Sequence, residues 1–167
     1  MNLTFVRHAA AGLALALGVT SGFAANVLSV KEKVELSVPP EKAWDLIKDF
    51  DSWQNWHPAV ASTEITSGKG NTRGTMRVLT TKDGAKITEK LVRYQPKAFA
   101  YTYSITDSPL PVTDYVSTLQ VKAAKSGSVV MWSSHFKAKE GTADADATKA
   151  IRDIYRAGLD NLKAKLK

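Results

Sequence analysis

The chain contains no cysteine, which excludes disulfides, iron–sulfur clusters and thiolate zinc sites. Histidine is scarce: of three in the chain, only His57 and His135 lie beyond the N-terminal segment. A catalytic zinc needs three or four converging ligands. Two histidines with a carboxylate such as Glu64 or Glu89 could form a non-haem iron triad in principle, but no spacing supports one. No metal or other cofactor is expected. The longest apolar run, Ala9 to Val19, falls short of the roughly 20 residues of a membrane span. No phosphate-binding glycine loop or nucleophile–base pair is present, and paired carboxylates cannot be argued from spacing. Acidic residues are the minority, 16 against 23 lysines and arginines, giving a net charge of +7. The basic residues form no stripe interleaved with stacking aromatics, so nucleic acid is not the expected partner.

What is present begins with an export signal. Arg7 and His8 make a short basic start, Ala9 to Val19 an apolar core, and Gly22-Phe23-Ala24 a small-residue cleavage site. Residues 1–24 are therefore expected to be removed and the protein to be periplasmic, with no stable membrane insertion; a retained anchor helix is the alternative. Removing 24 of 167 residues leaves 143, and the loss of Arg7 leaves a charge of +6. Such a length suits one domain, residues 25–167, large enough to bury a core unaided.

Val30, Val34, Leu36 and Val38 alternate with polar residues, which reads as a half-buried strand interrupted at Glu32. Pro39-Pro40 ends it and Pro40 opens a helix, on which Ala43, Leu46, Ile47 and Phe50 recur at helical spacing. A second short helical turn is expected between Asp51 and Trp56, stopped by Pro58. From Val60 the chain is a strand meander with turns at Gly68–Asn71, Lys82–Gly84, Gln95–Lys97 and Lys125–Ser128. Asp83-Gly84 suggests a type I′ hairpin, with positive φ at both central residues. Strands are expected at Met76–Thr81, Lys86–Tyr94, Phe99–Ile105, Tyr115–Lys122 and Val129–Lys137. The last element is a helix from about Thr142 to Leu166, capped and charged by Thr142, Asp144 and Asp146, with Ile151, Ile154, Tyr155, Gly158, Leu159 and Leu162 on its apolar side. Some 23 residues at 1.5 Å rise span roughly 35 Å, enough to cross about seven strands. The class is α+β, with the long helix lying on one sheet face.

These features resemble the START-like (SRPBCC, polyketide cyclase/dehydrase, birch-pollen-allergen-like) superfamily. The likeness rests on Ser37-Val38-Pro39-Pro40-Glu41-Lys42-Ala43-Trp44, on Trp56-His57-Pro58, on the meander, and on Val130-Met131-Trp132 before the closing helix. It implies a helix-grip fold: a curved antiparallel sheet wrapped around one long C-terminal helix, with room between them for an apolar ligand. The signal peptide and Asp107-Ser108-Pro109-Leu110-Pro111-Val112, leading into Asp114-Tyr115-Val116-Ser117-Thr118-Leu119, are similar to exported methanol-oxidation accessory proteins of the MxaD type. That narrower resemblance implies a periplasmic dehydrogenase or its cytochrome as protein partner.

Strand alternation puts Tyr101, Tyr103 and Ile105 on one face, Tyr115, Ser117 and Leu119 on another, and Trp132, Ser134 and Phe136 on a third. If these faces meet the helix, they and Ile154 line a cavity for a small hydrophobic molecule; otherwise they fill a solid core. Tyrosine and tryptophan carry polar tips that seek partners when buried, which favours a cavity. Gly158 costs about 1 kcal/mol in mid-helix, so a strand or ligand approaching closely, or a bend, should explain it. The resemblance implies that Trp53, Trp56 and His57 lie at the mouth, with His57 a hydrogen-bond donor to a ligand, a general acid, or part of an aromatic plug. Arg77, between Met76 and Val78, reads as outward and solvated, and alternation separates it from Glu89, Arg93, Tyr103 and His135. No catalytic residue is assigned; a cyclase or dehydratase using the same cavity is the alternative. Pro109, Leu110 and Pro111 stiffen a loop suited to partner contact, to covering the cavity, or simply to joining two strands.

Overall fold

The computed structural model describes residues 26–167, so the expected export signal lies outside the described residues. Seven antiparallel strands form one sheet: β1 (Leu28–Leu36), β2 (Val60–Ser67), β3 (Met76–Thr81), β4 (Lys86–Gln95), β5 (Ala100–Asp107), β6 (Val112–Ala124) and β7 (Gly127–Ala138). Their spatial order is β1-β7-β6-β5-β4-β3-β2, so β2 to β7 run as a meander and β1 closes onto β7. Helix α1 (Pro40–Ile47) and a 3-10 turn (Trp53–Asn55) join β1 to β2, and helix α2 (Asp144–Lys165) ends the chain. This is the helix-grip arrangement.

Proline at its first position starts α1, which buries Ala43, Trp44 and Ile47. Asp144 and Asp146 sit in the first turn of α2, favourable to its positive end, but the N-cap is Ala143 and no side chain caps the helix. The expected cap by Thr142 is therefore not formed. Helix α2 buries Ala147, Ile151, Tyr155, Gly158, Leu159 and Leu162. Glu32, the polar interruption of β1, faces the same helix, where its carboxylate meets Arg152 at 3.4 Å and Arg156 at 3.1 Å.

The β3–β4 turn differs from the expected type. Only Gly84 has positive φ, at 88°. Gly84 N–H donates to Thr81 O, and Thr81 N–H to Ala85 O, each at 2.9 Å, enclosing three residues rather than two. This is the hairpin that pairs a tight turn with one left-handed glycine. Asp83 accepts from the Thr81 hydroxyl, which stabilises this three-residue form. The register then runs Thr80↔Lys86, Leu79↔Ile87, Val78↔Thr88 and Arg77↔Glu89.

Register shifts interrupt β2–β3, β4–β5 and β6–β7. In β4, Leu91 pairs with Tyr103 and Arg93 with Thr102, leaving Val92 as an extra residue. Such bulges bend a strand and change which residues face inward. Here the bulge lets both Leu91 and Tyr94 turn toward the core.

Candidate functional site

The space between α2 and the sheet is mostly protein. Trp53 Nε1 donates to Tyr101 Oη at 2.9 Å, and Trp132 Nε1 donates to both Tyr103 Oη and Ser117 Oγ at 3.0 Å. Tyr155 on α2 reaches Tyr115 Oη at 2.5 Å and Ser117 Oγ at 2.9 Å, while Ser117 donates to Ser133 O. The Tyr155 and Trp132 rings stack 4.2 Å apart. These polar tips thus satisfy one another and need no ligand to account for them, whereas Trp56 Nε1 and Ser134 Oγ are buried without a partner among the described residues. Burial raises the pKa of Tyr101, Tyr103, Tyr115 and Tyr155, which keeps these phenols protonated.

His57 projects from the end of the 3-10 turn, stacked on Trp53. The Ala59 amide can only donate, so Nδ1 accepts its hydrogen at 3.3 Å and Nε2 carries the proton toward Ile154 O at 3.1 Å. Neither nitrogen remains free for a ligand. Burial is the main cause lowering the His57 pKa to about 4, so the ring is neutral at physiological pH.

Gly158 lies where three rings converge. A Cβ there would stand 2.7 Å from His57 Cδ2, 2.9 Å from Trp132 Cζ3 and 3.1 Å from Trp56 Cζ3. Close approach by side chains accounts for this glycine.

Arg77 is the main correction to the sequence reading: it is fully buried, not solvated. On β3 the inward residues are Arg77 and Leu79, while Met76 and Val78 stay half-buried on the other face. Arg77 Nε donates to Glu89 Oε2 at 2.7 Å, and Nη2 lies 2.5 Å from the same oxygen without lining up for a hydrogen bond. Nη1 donates to Phe50 O at 2.5 Å. The guanidinium sits 3.9 Å from the Phe50 ring centre and 4.0 Å from that of Trp53, a doubly stacked cation. Desolvation raises the Glu89 pKa, opposed by Arg77. Alternation therefore brings Glu89 and Tyr103 to the same side as Arg77. Arg93 and His135 are exposed, and on β7 the exposed His135 lies between the buried Ser134 and Phe136.

A cavity of about 100 Å³ remains among these groups. Trp53, His57, Tyr103, Tyr115 and Trp132 form its aromatic wall, Ile151 and Ile154 its helix wall, and Leu79, Ile87, Glu89 and Leu110 its far side. Of the sequence-derived ligand contacts, His57, Tyr103, Tyr115, Trp132 and Ile154 border this space. Trp56, Tyr101, Ser117, Ser134, Phe136 and Gly158 do not line it, and all six are buried. Outside lies an open groove of about 380 Å³ between Lys82–Ala85 and Pro109–Pro111. Ala59, Thr81, Ile87 and Leu110 line both spaces. Leu110 stands between them, half-buried.

Arg77 and Glu89 form a buried pair that strand alternation had set apart. Counting equally from Asp83, the centre of the observed three-residue turn, sets these opposite charges across from each other, whereas the expected two-residue turn would have set Arg77 opposite Lys90.

Among the described residues, no three histidine or acidic side chains converge as metal ligands, and no helix is long and apolar enough to cross a membrane. Residues 27–167 match the family model described as polyketide cyclase / dehydrase and lipid transport. The structure of the protein XoxI from Bacillus cereus is similar at 34% identity and a TM-score of 0.74, covering 84% of this chain and 94% of that one. A protein from Bacillus thuringiensis gives 34% identity and a TM-score of 0.74, covering 84% and 98%. Ara h 8.0201, at 20% identity and a TM-score of 0.69 over 84% and 98%, shares the fold. The chain belongs to the polyketide cyclase / dehydrase and lipid transport family.

Proposed function

We propose that this protein binds a small apolar molecule in the cavity beneath α2, acting in the periplasm without catalysing a reaction. The carrying observation is the placement of Leu110 between that cavity and the outer groove. Ligand pockets usually measure about 300–1,000 Å³, so the inner space alone is small. Displacing Leu110 would join it to the groove and bring the combined volume into that range. The stiff Pro109–Pro111 segment would then carry the lid, with Leu110 as its moving side chain.

Methyl-labelled protein titrated with toluene tests this: resonances of Leu79, Ile87, Leu110 and Ile154 should shift together. Unmoved methyls, together with a bare mass in native mass spectrometry of protein taken from the periplasm, would sink it. Export is supported by the pattern in residues 1–24, and the secreted form should begin at Ala25.

An accessory role toward a periplasmic dehydrogenase or cytochrome is a second reading. It is favoured by the expected net charge of +6 and by the proline-stiffened segment at the groove rim. A catalytic alternative of the cyclase or dehydratase type would have to run through Glu89, because the His57 nitrogens are both engaged.

A further inference from the structure

We infer that the cavity selects neutral ligands carrying a hydrogen-bond donor, a hydroxyl or amide N–H, which bonds to Glu89. This rests on the reading of the cavity as a ligand site, and it adds the chemistry that the ligand must have.

Arg77 contacts only one oxygen of the carboxylate. Its Nε and Nη2 both approach Oε2, and Oε1 has no hydrogen-bond partner among the described residues. A fork-to-fork pair would have engaged both oxygens. Glu89 lines the cavity and Arg77 does not. The guanidinium is instead held by Phe50 and Trp53, with Nη1 spent on Phe50 O. Glu89 is therefore the charged residue in an otherwise apolar cavity wall, and its Oε1 is not engaged by Arg77. The Arg77 guanidinium hydrogen-bonded at Oε2 favours the carboxylate form of Glu89, against the desolvation that raises its pKa.

A hydrocarbon occupant would exclude water and leave that acceptor unpaired, which is costly for a buried charged group. A donor on the ligand removes this cost. An anion would be repelled by the facing carboxylate. A cation would leave water for a site whose negative charge Arg77 already balances. A neutral donor is what remains.

Phenol and toluene test the inference, since they match in shape and differ in O–H against CH₃. An apolar cavity of about 150 Å³ admits benzene, and displacing Leu110 would extend this one of about 100 Å³ into the groove. Phenol should bind the intact mature protein at least tenfold more tightly than toluene by ligand-observed and methyl NMR. The double variant Arg77→Met/Glu89→Leu removes the pair without stranding a charge, and should abolish or reverse that preference. Glu89→Gln, which retains shape and one contact to Arg77, should reduce the preference and serves if the double variant does not fold. Toluene binding as tightly as phenol in the unaltered protein, or a preference unchanged in the variants, overturns the inference but leaves the binding reading standing. Neither probe binding overturns both.

Discussion

At residue scale, Gly158 shows how packing overrides helix propensity. Alanine should be favoured there by about 1 kcal/mol on propensity. Three ring edges already occupy the position its methyl group would take. Overpacking a filled core costs about 1–3 kcal/mol. Gly158→Ala is therefore expected to lower stability by up to about 2 kcal/mol in denaturant unfolding, net of the propensity gain. A more stable variant would mean the rings move aside freely. The Arg77–Glu89 pair makes a second residue-scale case. Arg77→Met leaves a buried carboxylate alone and should cost about 3–5 kcal/mol, whereas Arg77→Met/Glu89→Leu should recover most of that loss. A double-mutant cycle measures the difference. The glycine's need for compensation was legible in the sequence; the identity of what fills the space was not, because residues 56, 57 and 132 come from distant segments.

At the scale of elements, the 3-10 turn and α2 are joined through His57, and this linkage depends on pH. The ring is neutral when buried, with its pKa lowered from 6.5 to about 4. Its contribution is therefore complete above pH 6.5 and falls as acid protonates the unfolded chain first. Down to about pH 4 the loss should total on the order of 3 kcal/mol. Comparing unfolding free energies of the wild type and His57→Gln across this window isolates the effect, since the titration of Glu89 is common to both. A difference that stays constant with pH would place the ring in water. Helix α2 is also tied to β1 by Glu32, a half-buried group pairing with two arginines. Glu32→Gln should cost no more than about 1 kcal/mol by thermal unfolding, because both arginine side chains remain partly solvated. Strand alternation in β1 revealed Glu32 as an anomaly without naming its partners, which lie more than a hundred residues away.

For the molecule as a whole, the cavity sets what can be carried and Leu110 sets how fast it enters. Leu110→Ala should speed exchange of toluene measured by NMR while lowering stability by about 1 kcal/mol, the modest cost of a half-buried side chain. Unchanged exchange would mean another route in. The accessory reading makes a separate demand at this scale. Association with an acidic periplasmic partner should weaken steeply between about 20 and 300 mM salt, as screening removes long-range attraction. Salt-independent association would remove the electrostatic basis of that reading.

Local pattern in the chain was sufficient for the order of strands, the proline-started helix, the long amphipathic closing helix and the family likeness. Each depends on period-2 or helical spacing and on turn residues that act over a few positions. Tertiary structure decided what the inward faces do. It turned the aromatic tips toward one another instead of toward a guest, and it inserted Val92 as a bulge that shifts the phase of β4. It also buried Arg77 by setting Glu89 opposite it and placing its guanidinium over the Phe50 and Trp53 rings. Those outcomes depend on side chains from separate segments competing for the same space and the same hydrogen bonds, a condition that exists only once the sheet has closed around its helix.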